Sequence, residues 1–136
     1  RRVLFRSPAN SLAAGDVIVM KTVGSFILEG GQSISVVFAL GGSTVHTISL
    51  PGSGFTPSTS EVPYTMEVTV VIRTTGASGT ASCFTTISTP TTRTFSGPTS
   101  ISIDTTASRL LNVLATISAI VGTNHFSAEM GTVRIN

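Results

Sequence analysis

The alternation of apolar and polar residues is most regular in the middle of the chain, between Tyr64 and Arg73. Only Val71 breaks a period of two, which is the period of a β-strand with one buried face. If residues 65–75 are fully extended, they span roughly 35 Å, enough to cross a whole domain. The apolar face of this predicted strand consists of Tyr64, Met66, Val68, Val70 and Ile72.

A glycine-containing turn follows this strand at residues 76–79. Its two glycines supply the positive backbone dihedrals that tight turns require. Residues 80–89 then resume a run rich in β-branched and hydroxyl-bearing side chains. The sequence therefore predicts a long hairpin, and we expect the rest of the chain to be organised around it.

Shorter segments with strand character lie on both sides of the hairpin. Gly24 is expected to form a bend or bulge, and a turn at residues 41–42 is expected to join two segments into another hairpin. Asp104 is expected to start a turn through its side-chain oxygen. The segments are residues 16–28, 34–40, 43–50, 99–104 and 124–136.

Residues 109–120 fit two patterns. Three leucines and Ile117 would lie on one stripe of a helix, whereas every second residue from Leu111 onward is also apolar. The β-branched residues and the following Gly122 favour the extended alternative, so we predict a strand here.

Two polar segments, residues 51–63 and 90–98, contain prolines and glycines in numbers that argue against a strand. We predict that both are loops, the second of which carries Arg93 and Phe95. In the first loop, Phe55 is either a contact residue or an aromatic ring that folds back onto the end of the domain.

Charged residues make up only 10% of the 136 residues, and Thr, Ser, Gly, Val and Ile dominate. This composition is typical of short strands joined by small-residue turns, and the length fits one domain. Cys83 is the only cysteine, so no disulfide can form within the chain. We interpret it as a buried inert thiol, with a reactive nucleophile as the alternative. No apolar run is long enough to span a bilayer as a helix.

The formal net charge of +2 depends on the first seven residues, RRVLFRS, which hold three of the eight basic residues. This heptapeptide resembles the in-frame translation of a sequencing adapter. We therefore expect residues 1–7 to be a non-native segment and residues 8–136 to be a single β-sandwich domain, whose net charge would be −1. The alternative is a natural basic arm, with which small viral coat proteins hold RNA.

The sequence contains no recognisable pattern for a catalytic, cofactor-binding or metal site. His46 and His125 lie in separate predicted strands, without a cysteine or carboxylate at metal-ligand spacing. No serine lies in a nucleophile motif, and no pattern pairs the acidic residues. The basic residues after residue 7 are dispersed, so nucleic acid is not expected as a partner. We predict a protein that is not an enzyme and has no cofactor.

The predicted elements fit an all-β fold, a two-sheet antiparallel sandwich of about eight strands. A jelly roll of the TNF/C1q-like or viral type is favoured over an immunoglobulin-like domain. The chain is longer than the roughly 100 residues of an immunoglobulin-like domain and lacks its Cys, Trp and Cys signature.

Four segments resemble a group of tailed-phage virion proteins that recur in viral metagenomes. They are NSLAAGDVIVMKTVGSF, VVFALGGSTVHTI, YTMEVTVVIRTTGASGT and SIDTTASRLLNVLATISA. The resemblance covers nearly the whole chain from Asn10 onward and implies a virion-associated jelly roll without naming binding residues. Tyr64 stands where the group tends to have Trp, and Ile117 likewise replaces an aromatic residue, so no role of those rings is carried over.

The resemblance implies a structural protein of a phage particle, either a head decoration or fibre domain or a tail-associated receptor-binding domain. Its expected location is the virion, an extracellular particle made in the host cytoplasm. The expected partners are copies of itself, other virion proteins and a host surface glycan or receptor. Two other hypotheses stay open. A coat protein of a small icosahedral virus would need an authentic basic arm. A secreted carbohydrate-binding or adhesin module would need an aromatic platform or a metal site.

The low charge content also predicts self-association. Residues 17–20 and 34–40 carry apolar side chains on both faces, more than one sandwich core requires. We expect a homo-oligomer, and the resemblance implies a trimer. The alternative is that the second apolar face lies under the loops at Phe55 and Phe95.

Overall fold

The computed structural model describes residues 2–28, 33–41, 43–50, 58–117 and 125–136, which form nine β-strands. Within these ranges there is no helix and every strand pair is antiparallel, so the all-β expectation is confirmed. The strands are β1 (Arg2–Ser7), β2 (Val17–Leu28), β3 (Ile34–Leu40), β4 (Ser43–Leu50), β5 (Ser58–Thr74), β6 (Gly79–Ser88), β7 (Arg93–Ile103), β8 (Arg109–Ile117) and β9 (His125–Ile135).

The strands form two sheets. The four-stranded sheet has the order β1-β8-β3-β4, and the five-stranded sheet has the order β7-β6-β5-β2-β9. Strands that follow one another in the sequence are paired only in the β3–β4 hairpin and in the β5–β6–β7 meander. Every other connection between successive strands passes from one sheet to the other. Because of these crossings, strands that are distant in the sequence become neighbours in a sheet.

The two sheets share one hydrophobic core. Antiparallel strands with one buried face explain the period of two along the chain, because alternate side chains point into this core. The largest fully buried side chains come from both sheets: Phe26, Phe38, Ile18, Met20, Leu28, Ile34, Leu40, Met66, Ile72 and Ile87.

The longest strand, β5, has the buried face that the sequence predicts. Its five alternate apolar side chains from Tyr64 to Ile72 are at most 3% exposed, and the side chains between them face outward. β6 pairs with it from Ser88, opposite Thr65, back to the turn at Gly76, whose φ is 108°. The predicted long hairpin is confirmed.

β5 begins earlier than expected, so the loop prediction is wrong for residues 58–63. Pro63 pairs in register with Ser25 of β2, but β6 begins to pair with β5 only at Thr65. A proline lacks a backbone N–H and is compatible with a strand where that side has no partner. Phe55 and the rest of that predicted loop lie outside the described residues.

The second predicted loop is also wrong in part, because β7 starts at Arg93 and continues through Pro98. β7 is an edge strand that pairs only with β6, and their register shifts between Cys83 and Thr85. Edge strands and bulges are the places where a sheet tolerates glycine and proline, so Gly97 and Pro98 can lie within the strand.

The strand prediction for residues 109–120 is confirmed for β8, while residues 118–120 lie outside the described ranges. β8 lies between β1 and β3, and both neighbours pair with its backbone. Leu114 is the register partner of Val37 and is 51% exposed on the outer face of the four-stranded sheet.

Residues Arg2–Ser7 form β1, an edge strand of the four-stranded sheet. They pair with β8 from Arg2 opposite Leu114 to Ser7 opposite Arg109. The segment that the sequence predicts to be non-native therefore contains a strand of the sheet. An uncovered edge of β8 would present backbone N–H and C=O groups to which an extended segment can pair. The adapter origin of residues 1–7 and the domain boundary at residue 8 stay predictions.

The turn predicted at Asp104 is present. One carboxylate oxygen of Asp104 accepts hydrogen bonds from the backbone N–H of Thr106 at 2.9 Å and from its hydroxyl at 2.6 Å. The other oxygen forms an ion pair with Arg109. The two hydrogen bonds from Thr106, followed by Arg109, hold the pKa of Asp104 below its ordinary value. This turn therefore fixes the chain where it enters β8.

Candidate functional site

Four polar side chains meet on the outer face of the five-stranded sheet, and we call them the Glu61 cluster. They come from three neighbouring strands: Ser25 from β2, Glu61 from β5, and His125 and Ser127 from β9. β2 pairs with both β5 and β9, and this brings Glu61 and His125 together although 64 positions separate them in the sequence. No local pattern in the sequence indicates this meeting.

Hydrogen bonds connect all members of the Glu61 cluster. The hydroxyl of Ser25 donates to Oε1 of Glu61 at 2.5 Å, and Nε2 of His125 lies 3.3 Å from the same oxygen. Oγ of Ser127 lies 3.0 Å from Oγ of Ser25 and accepts a hydrogen bond from the Ser25 backbone N–H at 3.1 Å. The cluster therefore links the side chains of three strands outside the core.

The electrostatics of the Glu61 cluster favour a charged carboxylate. The hydrogen bond from Ser25, followed by the bond from His125, lowers the pKa of Glu61 from its ordinary value. In a serine hydrolase the imidazole lies between the hydroxyl and the carboxylate. Here Ser25 and His125 both contact the same carboxylate oxygen, so the carboxylate lies between them. In this geometry the cluster positions strands and does not present an activated nucleophile.

Gly24 supports the cluster from the buried side of β2. A Cβ atom at this position would overlap the backbone carbonyl oxygen of Ser127, so only glycine fits. The hydroxyl of Tyr64 crosses this gap and donates to the same carbonyl oxygen at 2.8 Å. Its ring stacks on Phe126 with a centroid distance of 4.9 Å. Burial, followed by the charge of Glu129, raises the pKa of Tyr64 well above its ordinary value.

The irregularity predicted at Gly24 is confirmed as a β-bulge. Val23 pairs with Met130 and Gly24 pairs with Ala128, so Glu129 is the extra residue on β9. Glu129 is exposed and lines a shallow cavity of about 330 Å³ beside the Glu61 cluster. The cavity is lined by Gly24, Ser25, Glu61, Pro63 and Glu129.

A second depression, which we call the outer groove, lies on the same face across β5, β6 and β7. It has a volume of about 110 Å³ and continues into a neighbouring cavity of about 250 Å³ that shares Thr65 and Ser88. The outer groove is lined by Thr65, Glu67, Thr86, Ser88 and Arg93.

An exposed aromatic residue lies beside the outer groove. Phe95 of β7 is the register partner of Thr86 and is 63% exposed. Its ring packs at a tilt against Phe84 of β6, with a centroid distance of 6.2 Å. Phe95 therefore lies on the sheet surface itself, and not on a loop that covers an apolar face as one alternative expected.

The charged residues that are dispersed in the sequence gather on this outer face. Four of the five basic residues after residue 7 are exposed at its outward positions, together with three carboxylates. Whether a residue has an odd or an even position along its strand decides on which face it lies. That position does not say which strands are neighbours, so the sequence does not reveal that these charges share one face. The outer face holds Lys21, Arg73, Arg93, Arg134, Glu61, Glu67 and Glu129.

The other candidate residues lie elsewhere. Cys83 is buried in the core, as the sequence predicts, and burial raises the pKa of its thiol to about 11. That the thiol is inert stays a prediction. His46 lies in β4, in register with Phe38, so the two histidines belong to different sheets. Among the described residues, no three or more His, Cys, Asp or Glu side chains are placed to hold a metal ion.

Comparisons with known proteins identify no relative. No family model, curated protein or solved structure matches this chain. No helix in the described ranges has the length and apolar character needed to cross a membrane.

Proposed function

We propose that this chain is a non-enzymatic structural protein of a phage virion, carried on the particle as a head decoration or fibre domain or as a tail-associated receptor-binding domain. The resemblance described above supports this assignment. Its segments coincide with β2, the β3–β4 hairpin, the β5–β6 hairpin and β8, all of which are framework elements of the two sheets.

The two sheets are proposed to form a sandwich of the jelly-roll type. The shared core and the repeated crossings between the sheets support a sandwich. In a simple jelly roll, successive strands alternate between the two sheets. Here β5, β6 and β7 follow one another within one sheet, which departs from that pattern. A solved structure that shows the sheets stacked with these crossings would support the assignment.

The observation that carries the proposed function is the outer face of the four-stranded sheet. β3, β4 and β8 contain no Lys, Asp or Glu, and their one Arg is Arg109, which is paired with Asp104. At the centre of this face, Leu114 lies opposite Val37. On its other side Leu114 is in register with Arg2 of β1, the edge strand. An exposed apolar residue on strands without Lys, Asp or Glu is typical of a surface that another protein covers.

The proposed occupant of that face is a second copy of this chain. Contact between two copies through β3, β4 and β8 involves one charged side chain of these strands, Arg109, which is already paired with Asp104, so the cost of desolvation is small. Closed homo-oligomers are the commonest assemblies of soluble chains, and the resemblance implies a trimer. Such an assembly would also compensate for the low charge content of the chain.

The genes beside the source gene test the proposed function directly. We expect terminase, portal or tail genes on the same contig, and we expect the chain among the proteins of purified particles by mass spectrometry. A neighbourhood of replicase and coat genes from a small virus would instead support the icosahedral coat protein, and its basic arm would then correspond to the strand β1.

The non-enzymatic part of the proposal has its own test. We expect no turnover by the purified chain in a broad hydrolase screen, because His125 and Ser25 are not arranged as a base and its nucleophile. Turnover that His46→Ala or His125→Ala abolishes would contradict the proposal.

A further inference from the structure

We propose that the outer groove binds a saccharide, with one sugar ring packed against Phe95 and its hydroxyl groups bonded to Glu67 and Arg93. This inference rests on the receptor-binding form of the proposed function and names the ligand class of that receptor.

The register of three strands arranges the groove as two rows of side chains. One row runs from Thr65 through Ser88 to Arg93, and the next runs from Glu67 through Thr86 to Phe95. Neighbouring strands in a sheet lie about 4.8 Å apart, so each row spans roughly 10 Å from β5 to β7. This length is comparable to that of one or two sugar rings.

Phe95 supplies the apolar part of the site. A pyranose ring has one face of C–H bonds that packs against an aromatic ring, and a rim of hydroxyl groups that requires hydrogen-bonding partners. Contact with Phe84 holds the Phe95 ring at a tilt above the sheet while 63% of the residue is exposed. The exposed ring is therefore held in place before a ligand arrives, which reduces the entropy lost on binding.

Glu67 and Arg93 supply the polar part of the site. Both are exposed, and in the described residues neither forms a hydrogen bond or an ion pair with another side chain. A carboxylate accepts hydrogen bonds from sugar hydroxyls, and a guanidinium donates to hydroxyl, ring or carboxylate oxygens. Thr65, Thr86 and Ser88 add three hydroxyl groups between them.

Single-stranded nucleic acid is the main competing ligand, because it also stacks bases on aromatic rings. Such sites line the path of the backbone with positive charge. Here Glu67 lies in the floor of the groove, in the same row as Phe95, and its carboxylate would repel a phosphate. A neutral sugar avoids this repulsion and can use the carboxylate as an acceptor. The carboxylate of an acidic sugar would have to lie against Arg93 instead.

The test is binding of the full chain to an array of immobilised neutral and uronic-acid-containing oligosaccharides. Calorimetric titration with the oligosaccharide that gives the strongest signal would then follow. We expect Phe95→Ala to weaken that affinity at least about tenfold, as loss of a central aromatic contact does. Glu67→Gln should weaken it less, because the amide keeps one acceptor oxygen.

Ile135→Ala is the matched control, because it also shortens an exposed apolar side chain but on β9, the opposite edge of the same sheet. It should leave the affinity unchanged, and circular dichroism should show that all variants remain folded. No signal from any oligosaccharide on the array would overturn the inference. Equal weakening by Ile135→Ala, or tighter binding of an oligothymidylate that Phe95→Ala abolishes, would also overturn it.

The proposed function and this inference can fail separately. Terminase or tail genes beside the source gene, together with an array without signal, would remove only the saccharide site. Saccharide binding by a chain whose neighbouring genes are not viral would remove only the virion assignment and would favour the secreted carbohydrate-binding module.

Discussion

The outer faces of the two sheets have opposite chemistry. In the four-stranded sheet, β3, β4 and β8 present hydroxyl and apolar side chains around Leu114, whereas the five-stranded sheet carries the Glu61 cluster and the outer groove. Both sheets bury the same kind of apolar face in the common core. The common core therefore accounts for the fold, and the proposed partners depend on the difference between the two outer faces.

The largest expected effect separates the inner from the outer face of β5. Val70→Ala removes buried methyl groups and leaves a cavity, so we expect it to lower the free energy of unfolding by about 1 to 4 kcal/mol. Thr69→Ala, one position away on the outer face, should cost less than about 1 kcal/mol. Urea denaturation measures both. Equal losses would mean that the outer face of the five-stranded sheet is also buried in an assembly.

Deletion of residues 1–7 tests whether β1 contributes to the stability of the four-stranded sheet. β1 pairs with β8 along its length, and it places Arg2 and Arg6 at the edge of a sheet that is otherwise poor in charge. We expect the deletion to lower the melting temperature by several degrees, because β8 loses hydrogen bonds on one side. An unchanged melting temperature in calorimetry would show that β1 adds nothing to stability.

Tyr64→Phe tests the connection between the core and the Glu61 cluster. The variant keeps the ring stacked on Phe126 but removes the hydroxyl that donates to the carbonyl oxygen of Ser127. We expect a loss of about 1 kcal/mol in the free energy of unfolding, the typical contribution of one such hydrogen bond. The substitution should also increase the rate of amide hydrogen exchange more in β9 than in β6. An equal increase across the sheet would contradict a local role of the Tyr64 hydroxyl.

The smallest expected effect is the pH dependence of stability due to Glu61. Its hydrogen bonds lower its pKa in the folded state, so their contribution is present above the ordinary carboxyl pKa of about 4.3. The contribution should be lost as the pH falls through the lower folded pKa. Glu61→Gln should flatten the stability profile in this acidic range. Parallel profiles for wild type and Glu61→Gln would contradict the assignment.

The sequence predicts the buried faces well and the sites poorly, for one physical reason. Alternation from Tyr64 to Ile72 is a local property of an extended chain. The demand for glycine at Gly24 comes from the carbonyl of Ser127 on another strand, and the meeting of Glu61 with His125 likewise depends on the order and register of strands. Local patterns contain no information on strand order. Pro63 and Pro98, which argue against strands in the sequence, lie where only the topology reveals a missing partner.

The central claim is that the outer face of the four-stranded sheet, at β3, β4 and β8, joins copies of this chain. Light scattering after size-exclusion chromatography should give three times the 14.0 kDa mass of one chain for the wild type. Leu114→Lys, which places a charge at the centre of that face, should give 14.0 kDa, and Thr132→Lys on the charged face should remain a trimer. A wild-type mass of 14.0 kDa at every concentration would contradict the claim.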